Sequence, residues 1–452
     1  MVPIGPDAGF KDYVKLRAGQ GFNCIAMIAA FPNWKKDDLP RDIWLDQSRR
    51  LGLRNAWDED DADNLGVASR QRQAQTMHNE GGMSFHFPGK VPGYEDYFPD
   101  VDRINPEYFR FRDRKIDYLN AHGFIPFIEV SRRDVTPAWK EYYDWPDSYT
   151  RYIQYIWSRY QANNCLYSPI HYDSGTNGMT LTAKDFNEAA NRVVAEYGPP
   201  PFGTLVSANS QPSTLINFGK NNWLTYHQSG NTGDRAHGTY WYLTEIFHAV
   251  PTKPAINGEP MYAGLNEHWN KEPKTAHGSE EDDRFSRSSL YGNFLSGGLG
   301  GYIYGAQGIW AADMGPVADP TMWEGFTFKS GAEVQHLKTF AFGRGRRYQD
   351  LVPNPALALP HRTHNANTYL GWAYCARTDE RDYFLAYFEK ECPRSIIRGA
   401  IPGVAYKARW FNPREGMWTS VGEGMIVADR YGQLQLPELP TDDDWGIELV
   451  RE

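Results

Sequence analysis

The sequence predicts an α/β fold: a TIM (β/α)8-type barrel over residues 1–347, followed by an all-β sandwich over residues 348–452. Three observations lead there. From about residue 10 to 345, helical patterns alternate with short apolar runs, the signature of a parallel sheet made of strand–helix units. The polar clusters of this region (Asp173, His227-Gln228-Ser229, Glu259 and Tyr304) fall where the apolar runs end, and a barrel builds its site from several strand ends at once. Beyond residue 348 the pattern changes, and "TYLGWAYCAR", "DYFLAYFEK", "YKARWFNP", "MIVADR" and "WGIELV" read as short strands between turns.

The elements follow in order. "FKDYVKLRAGQG" reads as a helix ending at Gly21, and "FNCIAMIAAF" as the strand after it. A long polar, Gly-rich insertion covers about 35 to 104 and includes "DEDDADN". "PEYFRFRDRKIDYLNAHG" is an amphipathic helix. Pro106 suits its first turn, where an N–H would go unpaired anyway, and Gly123 suits its end, where a left-handed residue closes the last turn. The strand "FIPFIEV" follows, then the helix "DSYTRYIQYIWSRYQAN", the strand "CLYSPIHYD", the helix "AKDFNEAANRVVAEYG" and the strand "FGTLVSA". "NWLTYHQSG" is a strand, "GTYWYLTEIFHAV" a helix, "KPAINGE" a strand, "EDDRFSRSSLYGNFLSGG" a helix and "LGGYIYG" the last strand. This makes seven strands rather than eight, so one barrel strand is expected to be missing or replaced. A linker is expected near "DLVPNPALALP".

Composition narrows the function. The 452 residues suffice for two or three domains, and 23% charged with 41% hydrophobic residues is globular. No window holds an apolar stretch long enough for a transmembrane helix. The start, "MVPIGPDAGFKDY", shows neither a basic nor an apolar leader region, so no signal peptide is visible. A net charge of -9 argues against a nucleic-acid partner. The four cysteines are too scattered for a disulfide framework or a zinc site; Cys24 and Cys165 read as core filler, while Cys375 and Cys392 flank adjacent strands and could pair. No H-E-x-x-H, acidic calcium loop, G-x-S-x-G elbow, P-loop or dinucleotide fingerprint occurs, so neither metal nor cofactor is expected. Aromatics reach 15%, with 15 Trp and 28 Tyr, which fits either a large aromatic core or a cleft that stacks on sugar rings.

Two carboxylates stand out. Glu259 ends the run "KPAINGE" between Gly258 and Pro260; the glycine gives freedom before it and the proline fixes φ after it, so the acid is held rigidly at a strand end. Asp173 ends "CLYSPIHYD" before a Gly-rich loop. Each read alone has an ordinary structural explanation, as a cap, an ion pair or a turn residue. Together, at the ends of strands four and seven of a barrel, they are the pair that glycoside hydrolysis needs: one acid to protonate the leaving oxygen, one carboxylate to attack or to activate water. His171, His227, Gln228, Ser229, Tyr262, Tyr304, Gln307, Trp310 and Arg132 lie at the same ends and are candidates for holding sugar hydroxyls or stacking on a ring.

"KPAINGEPMYAG", "YHQSG" and "FLSGGLGGYIYGAQGIW" resemble the apiosidase-like (DUF4038-type) glycoside hydrolases, and "ARWFNPREGMW" resembles the collagen-binding-type β-sandwich domain that follows in such proteins. The resemblance covers nearly the whole chain. It implies a retaining mechanism with Glu259 of the Gly-Glu-Pro motif as nucleophile and Asp173 as acid/base. Where the family carries Gly-Gly before that Asp, this chain has His171-Tyr172, which implies a reshaped pocket. The family's first strand, ending in a Gly-Asp-Thr-Ala-Trp-like segment, has no counterpart before the first helix. The leading expectation is a retaining, exo-acting glycosidase acting on a polysaccharide, oligosaccharide or glycoside. A catalytically silent carbohydrate-binding protein and an endo-hydrolase or transglycosylase on the same barrel are the alternatives.

Overall fold

The computed structural model describes residues 7–30, 78–96, 98–131, 135, 137–172, 181–219, 221–230, 238–260, 262–264, 276–309, 320–364 and 368–452. The chain divides into two compact units, residues 1–228 with 308–323, and residues 229–307 with 324–452.

In the first unit, helix α1 (Asp7–Gly19) leads into β1 (Cys24–Ile28), which pairs in parallel with β2 (Ile125–Glu129), and β2 pairs in parallel with β3 (Leu166–Ser168). Pro169 interrupts that run, because it has no N–H to give a ladder. The strand resumes as β4 (His171–Tyr172), parallel to β5 (Asn209–Ser210). Parallel neighbours need long crossovers. Helices α2 (Pro106–Ala121), α3 (Asp147–Arg159) and α4 (Ala183–Tyr197) supply them. The Asn105 side chain caps α2 by accepting the Glu107 N–H, and Thr182 with Asp185 forms a reciprocal cap on α4. The described part of the 35–104 insertion forms two short antiparallel ladders, His78–Asn79 with Gly82–Met83 and Phe85–His86 with Asp100–Ile104.

Aromatic rings fill much of this core. Phe85, Trp139, Tyr149 and Tyr152 are fully enclosed, and Trp139 meets Phe85 and Tyr149 edge-on at 5.9 and 5.3 Å. Helix α2 departs from a simple amphipathic pattern. Arg112 and Lys115 are buried, and the Arg112 guanidinium lies 5.1 Å from the centre of the Tyr160 ring.

The second unit holds the later strands. Strand β6 (His227–Gly230), within which the division of the chain falls, belongs to a three-stranded sheet with β7 (Ala255–Glu259) and β8 (Gly301–Tyr302). β7 and β8 are parallel, with Ile256 opposite Gly301 and Asn257 opposite Tyr302. Helix α5 (Gly238–Phe247) precedes β7 and helix α6 (Glu280–Leu295) links β7 to β8. The expected strand runs are thus present. Among the described residues they form separate sheets of three, two and three strands, and barrel closure is not seen. Short strands are one reason: β3, β4, β5 and β8 carry only two or three ladder residues each.

The C-terminal residues form short strands, as the sequence predicts, and these pair antiparallel. β9 (Val352–Pro353), β11 (Ala373–Arg377), β12 (Tyr383–Phe388), β17 (Trp445–Arg451), β14 (Ala405–Asn412) and β15 (Met417–Val427) lie in that order in one sheet. β10 (Ala358–Leu359), β13 (Ile396–Ile397) and β16 (Leu434–Gln435) form the second sheet. Every residue of β12 is buried. Phe384, Ala386 and Phe388 pack with Ile397 and Leu434 on one face, and Leu385 and Tyr387 pack with Leu290 and Tyr291 of α6 on the other. Strand alternation splits the run between two cores. All four cysteines are free thiols. Cys375 faces Ala386 across the ladder, well short of Cys392 beyond the strand, so the possible pairing does not form.

Helix α6 is fixed to this sheet by charge. Arg287, 1% exposed, donates from Nε and Nη2 to both oxygens of Asp444 at 3.0 and 2.9 Å, and from Nη1 to Glu333 at 2.6 Å. Asp444, wholly buried, also accepts from Arg414 and Tyr387, each at 2.8 Å. Burial alone would raise the Asp444 pKa, but Arg287 and Arg414 outweigh it and hold the carboxyl below its usual range. Its contribution is therefore present above the ordinary carboxylate range and is lost as pH falls through the lowered folded value. Asp444→Asn should cost about 3–5 kcal/mol at neutral pH, because it removes the carboxylate that two Arg287 nitrogens and Arg414 share and leaves Glu333 as the remaining counter-charge of a buried guanidinium. Urea melts of both proteins at neutral and acidic pH check this. The gap between them should narrow on the acid side.

Candidate active site

Glu259 closes β7, and β7 is buried except at Ile256. Asn257 and Glu259 are two residues apart, so their side chains leave the same face of the strand. The Asn257 side-chain oxygen accepts the Glu259 N–H at 3.1 Å, which fixes the backbone across Gly258. Glu259 is 9% exposed, and Tyr262 Oη donates to its Oε1 at 2.6 Å. A donor this close favours the ionised carboxylate.

The Tyr262 hydroxyl is held in place by its backbone. Ala263 N–H donates to Gly305 O at 3.0 Å and Gln307 N–H to Ala263 O at 2.8 Å, so the segments after β7 and β8 run together in parallel. The Tyr262 ring lies directly on Gly305, where a Cβ would come within 2.2 Å of a ring carbon. Only glycine fits. One turn further, both carboxylate oxygens of Asp282, on the first turn of α6, accept the Gly264 N–H at 2.9 and 2.8 Å. Burial raises the Asp282 carboxyl to about 6. Its neighbour Asp283 accepts the Ser330 N–H at 2.7 Å, and Ser330 Oγ bonds Tyr304 Oη at 3.0 Å. Tyr304, expected to meet substrate, is thus also tied into the frame, and Gln307 serves the frame through its backbone.

In the first unit, His171 and Glu129 are joined, Nδ1 to Oε2, at 2.8 Å. His227 and Gln228 are both buried and share one partner: Thr214 Oγ1 lies 2.9 Å from His227 Nδ1 and accepts the Gln228 N–H at 3.0 Å. The Gln228 amide reaches Tyr226 Oη at 3.4 Å. Burial, with Cys24 and Glu129 adding to it, keeps the Tyr226 phenol protonated far above its ordinary range. Ser229 is fully buried. Asp173, Trp310 and Arg132 lie outside the described residues.

Three residues the sequence did not single out belong to these arrangements: Glu129, Asn257 and Asp282. Glu129 carried the same signal as Glu259, an acid at the end of an apolar run, hidden because Val130 extends the run. Among the described residues no group of three or more His, Cys, Asp and Glu side chains is placed to hold a metal ion, and no helix is long and apolar enough to cross a membrane.

A carboxylate held at the end of a parallel strand by a phenol donor is the kind of group that acts on a glycosidic bond. Among the solved structures that share this fold are two glycoside hydrolases. One, described as a glycoside hydrolase, superposes with a TM-score of 0.68 at 14% identity over 98% of this chain and 88% of its own. The other, a glycoside hydrolase family 5 protein from Bacteroides vulgatus, gives a TM-score of 0.69 at 13% identity over 99% and 86%. A comparison with curated proteins returns no match. Residues 7–344 match the apiosidase-like catalytic domain and residues 363–447 a collagen-binding-like domain. The chain belongs to the apiosidase-like family and is a glycoside hydrolase.

Tyr262→Phe removes the donor from Glu259 and leaves the ring on Gly305. If Glu259 acts in catalysis, loss of a hydrogen bond to its charged group should lower kcat/KM roughly 10- to 100-fold. Initial rates of both proteins on an aryl glycoside check this.

Proposed function

We propose that this protein is a retaining, exo-acting glycosidase that releases sugar units from a polysaccharide, oligosaccharide or glycoside. The observation that carries the reading is Glu259, an acid nearly enclosed at the end of β7 with the Tyr262 hydroxyl 2.6 Å from its Oε1. Family membership and the fold of the glycoside hydrolases it resembles support it. In this reading the seven strand runs belong to one (β/α)8-type barrel over residues 1–347, and residues 348–452 are an accessory sandwich without catalytic groups.

The chemistry takes two steps. Glu259 attacks the anomeric carbon while Asp173 protonates the departing oxygen, and a glycosyl ester forms. Asp173 then takes a proton from water, which displaces the ester and restores the starting configuration. Tyr262 keeps Glu259 ionised before attack and can bond the ring side of the ester afterwards. His171, His227, Gln228, Ser229, Tyr304, Gln307, Trp310 and Arg132 are the proposed substrate contacts.

Two variants test the roles. Glu259→Gln should abolish turnover on every substrate. Asp173→Asn should spare the first step when the leaving group is a good phenolate, which needs no proton, and slow it severely for a poor one. Equal loss for both leaving groups, or a product of inverted configuration by NMR, would refute the assignment. Chain-length analysis on a polymer decides exo against endo action.

A further inference from the structure

The second compact unit carries a surface patch that the proposed chemistry does not use. Trp241, on α5, is 50% exposed. The Arg362 guanidinium lies 4.0 Å from the centre of its ring and 5.1 Å from the centres of the Tyr240 and Trp372 rings, both of which are buried. Three rings thus hold one cation in place.

Two more arginines stand beside it. Arg398, just past β13, donates from Nη2 to Ala356 O at 2.8 Å, and Arg377, the last residue of β11, donates from Nη1 to Gly399 O at 3.0 Å. The backbone draws these positions together. Ala358 of β10 pairs with Ile397 of β13, the Arg398 N–H donates to Leu357 O at 2.8 Å, and Arg362 faces Trp372 in an antiparallel bridge. His361 registers the charge: burial first, then Arg362 and Arg398, lower its pKa.

Rings and carbonyl oxygens tether all three guanidinium groups, and among the described residues none of the three is paired with a carboxylate. Two neighbouring acids are engaged elsewhere. Glu391 Oε2 lies 3.5 Å from His364 Nε2, and the buried Glu389 accepts the Trp372 N–H at 3.1 Å and the Tyr374 hydroxyl at 3.2 Å. In a chain of net charge -9 the patch is a local reversal of sign. An arginine stacked on a tryptophan is by itself an ordinary surface pair. The two further arginines and the exposed half of the indole go beyond that.

A guanidinium fork matches a carboxylate in geometry and charge, and an indole face takes the apolar side of a sugar ring. We propose that this patch is a docking site for an acidic polysaccharide: Arg362, Arg398 and Arg377 meet uronate carboxylates, and a ring of the polymer stacks on Trp241. Carbohydrate is the partner, rather than an acidic protein, because the cations flank an aromatic face on a glycoside hydrolase; that choice rests on the glycosidase reading. The patch binds without cleaving and keeps polymer at a high local concentration.

Affinity electrophoresis and calorimetry of the full chain test this, with polygalacturonate and alginate as probes. At least one should retain the wild type, less strongly as salt rises. Its methyl ester, which keeps the rings and loses the charge, and neutral dextran should not. Arg362→Gln, Arg398→Gln and Trp241→Ala should each weaken binding roughly 10-fold, as for loss of a hydrogen bond to a charged group or of a stacked ring. Arg362→Lys should recover part of the loss. All four variants should hydrolyse a small aryl glycoside at the wild-type rate. If Trp241→Ala fails to fold by near-UV circular dichroism, the exposed Arg398→Gln carries the test. Binding that the variants leave unchanged, equal retention by the methyl ester or by polyglutamate, or no retention by either probe overturns the proposal. If the wild type hydrolyses no glycoside while the variants still lose retention, the glycosidase reading fails and the docking site stands.

Discussion

Helix α6 depends on one buried cation. Arg287 faces Asp444 through two bonds and Glu333 through a third, with almost no access to water. Alone, a buried guanidinium would be strongly unfavourable; with both acids ordered around it, the helix has one lateral position against β12. Tyr291 stacks on Tyr387 at 4.9 Å on the same face, and Tyr387 donates to Asp444. The same helix presents Asp282 to the Gly264 N–H and Asp283 to the Ser330 N–H at its first turn. A single element thus ties the C-terminal sheet to the segment that follows Glu259.

That tie explains why the end of β7 can be rigid without being a regular strand. Pro260 cannot continue the ladder, yet three residues later Ala263 bonds across to Gly305 and Gln307. Between these points Tyr262 turns back onto Glu259, resting on a glycine that no larger residue can replace. In the proposed mechanism this rigidity serves chemistry, since a nucleophile must meet an anomeric carbon in line and a small displacement is costly in rate. Asp282 adds a counter-current. With its carboxyl raised to about 6, the folded state takes up a proton that the unfolded chain does not, so this group's share of stability falls as pH rises from about 4 towards 6.

What the sequence made legible was local. The seven apolar runs, the Pro106 and Gly123 ends of α2, and Glu259 itself are each written in a few consecutive residues. The partners were not, because they come from far along the chain. Nothing near Glu259 announces that Gly305 will carry the Tyr262 ring, and Arg287 and Asp444 are separated by 157 positions. Arg112 ran against its own pattern: helical spacing reads it as polar, yet it is enclosed beside Tyr160. The aromatic excess, open between core and cleft in the sequence, is in large part core, with Trp139, Tyr149, Tyr152, Tyr291 and Tyr383 among the largest fully buried side chains. Barrel closure was expected from strand–helix alternation, but alternation does not state how many ladder bonds each strand keeps.

The central claim is that Glu259 becomes covalently attached to sugar. A 2-deoxy-2-fluoro glycoside with a good leaving group slows both steps but the second more, so a glycosyl-enzyme accumulates. Intact-protein mass spectrometry followed by peptide mapping should find one added fluoroglycosyl group, on the peptide containing Asn257-Gly258-Glu259-Pro260, with none on Glu259→Gln. A label on another carboxylate, or turnover of the matching unfluorinated glycoside with no adduct at any time, would contradict the account.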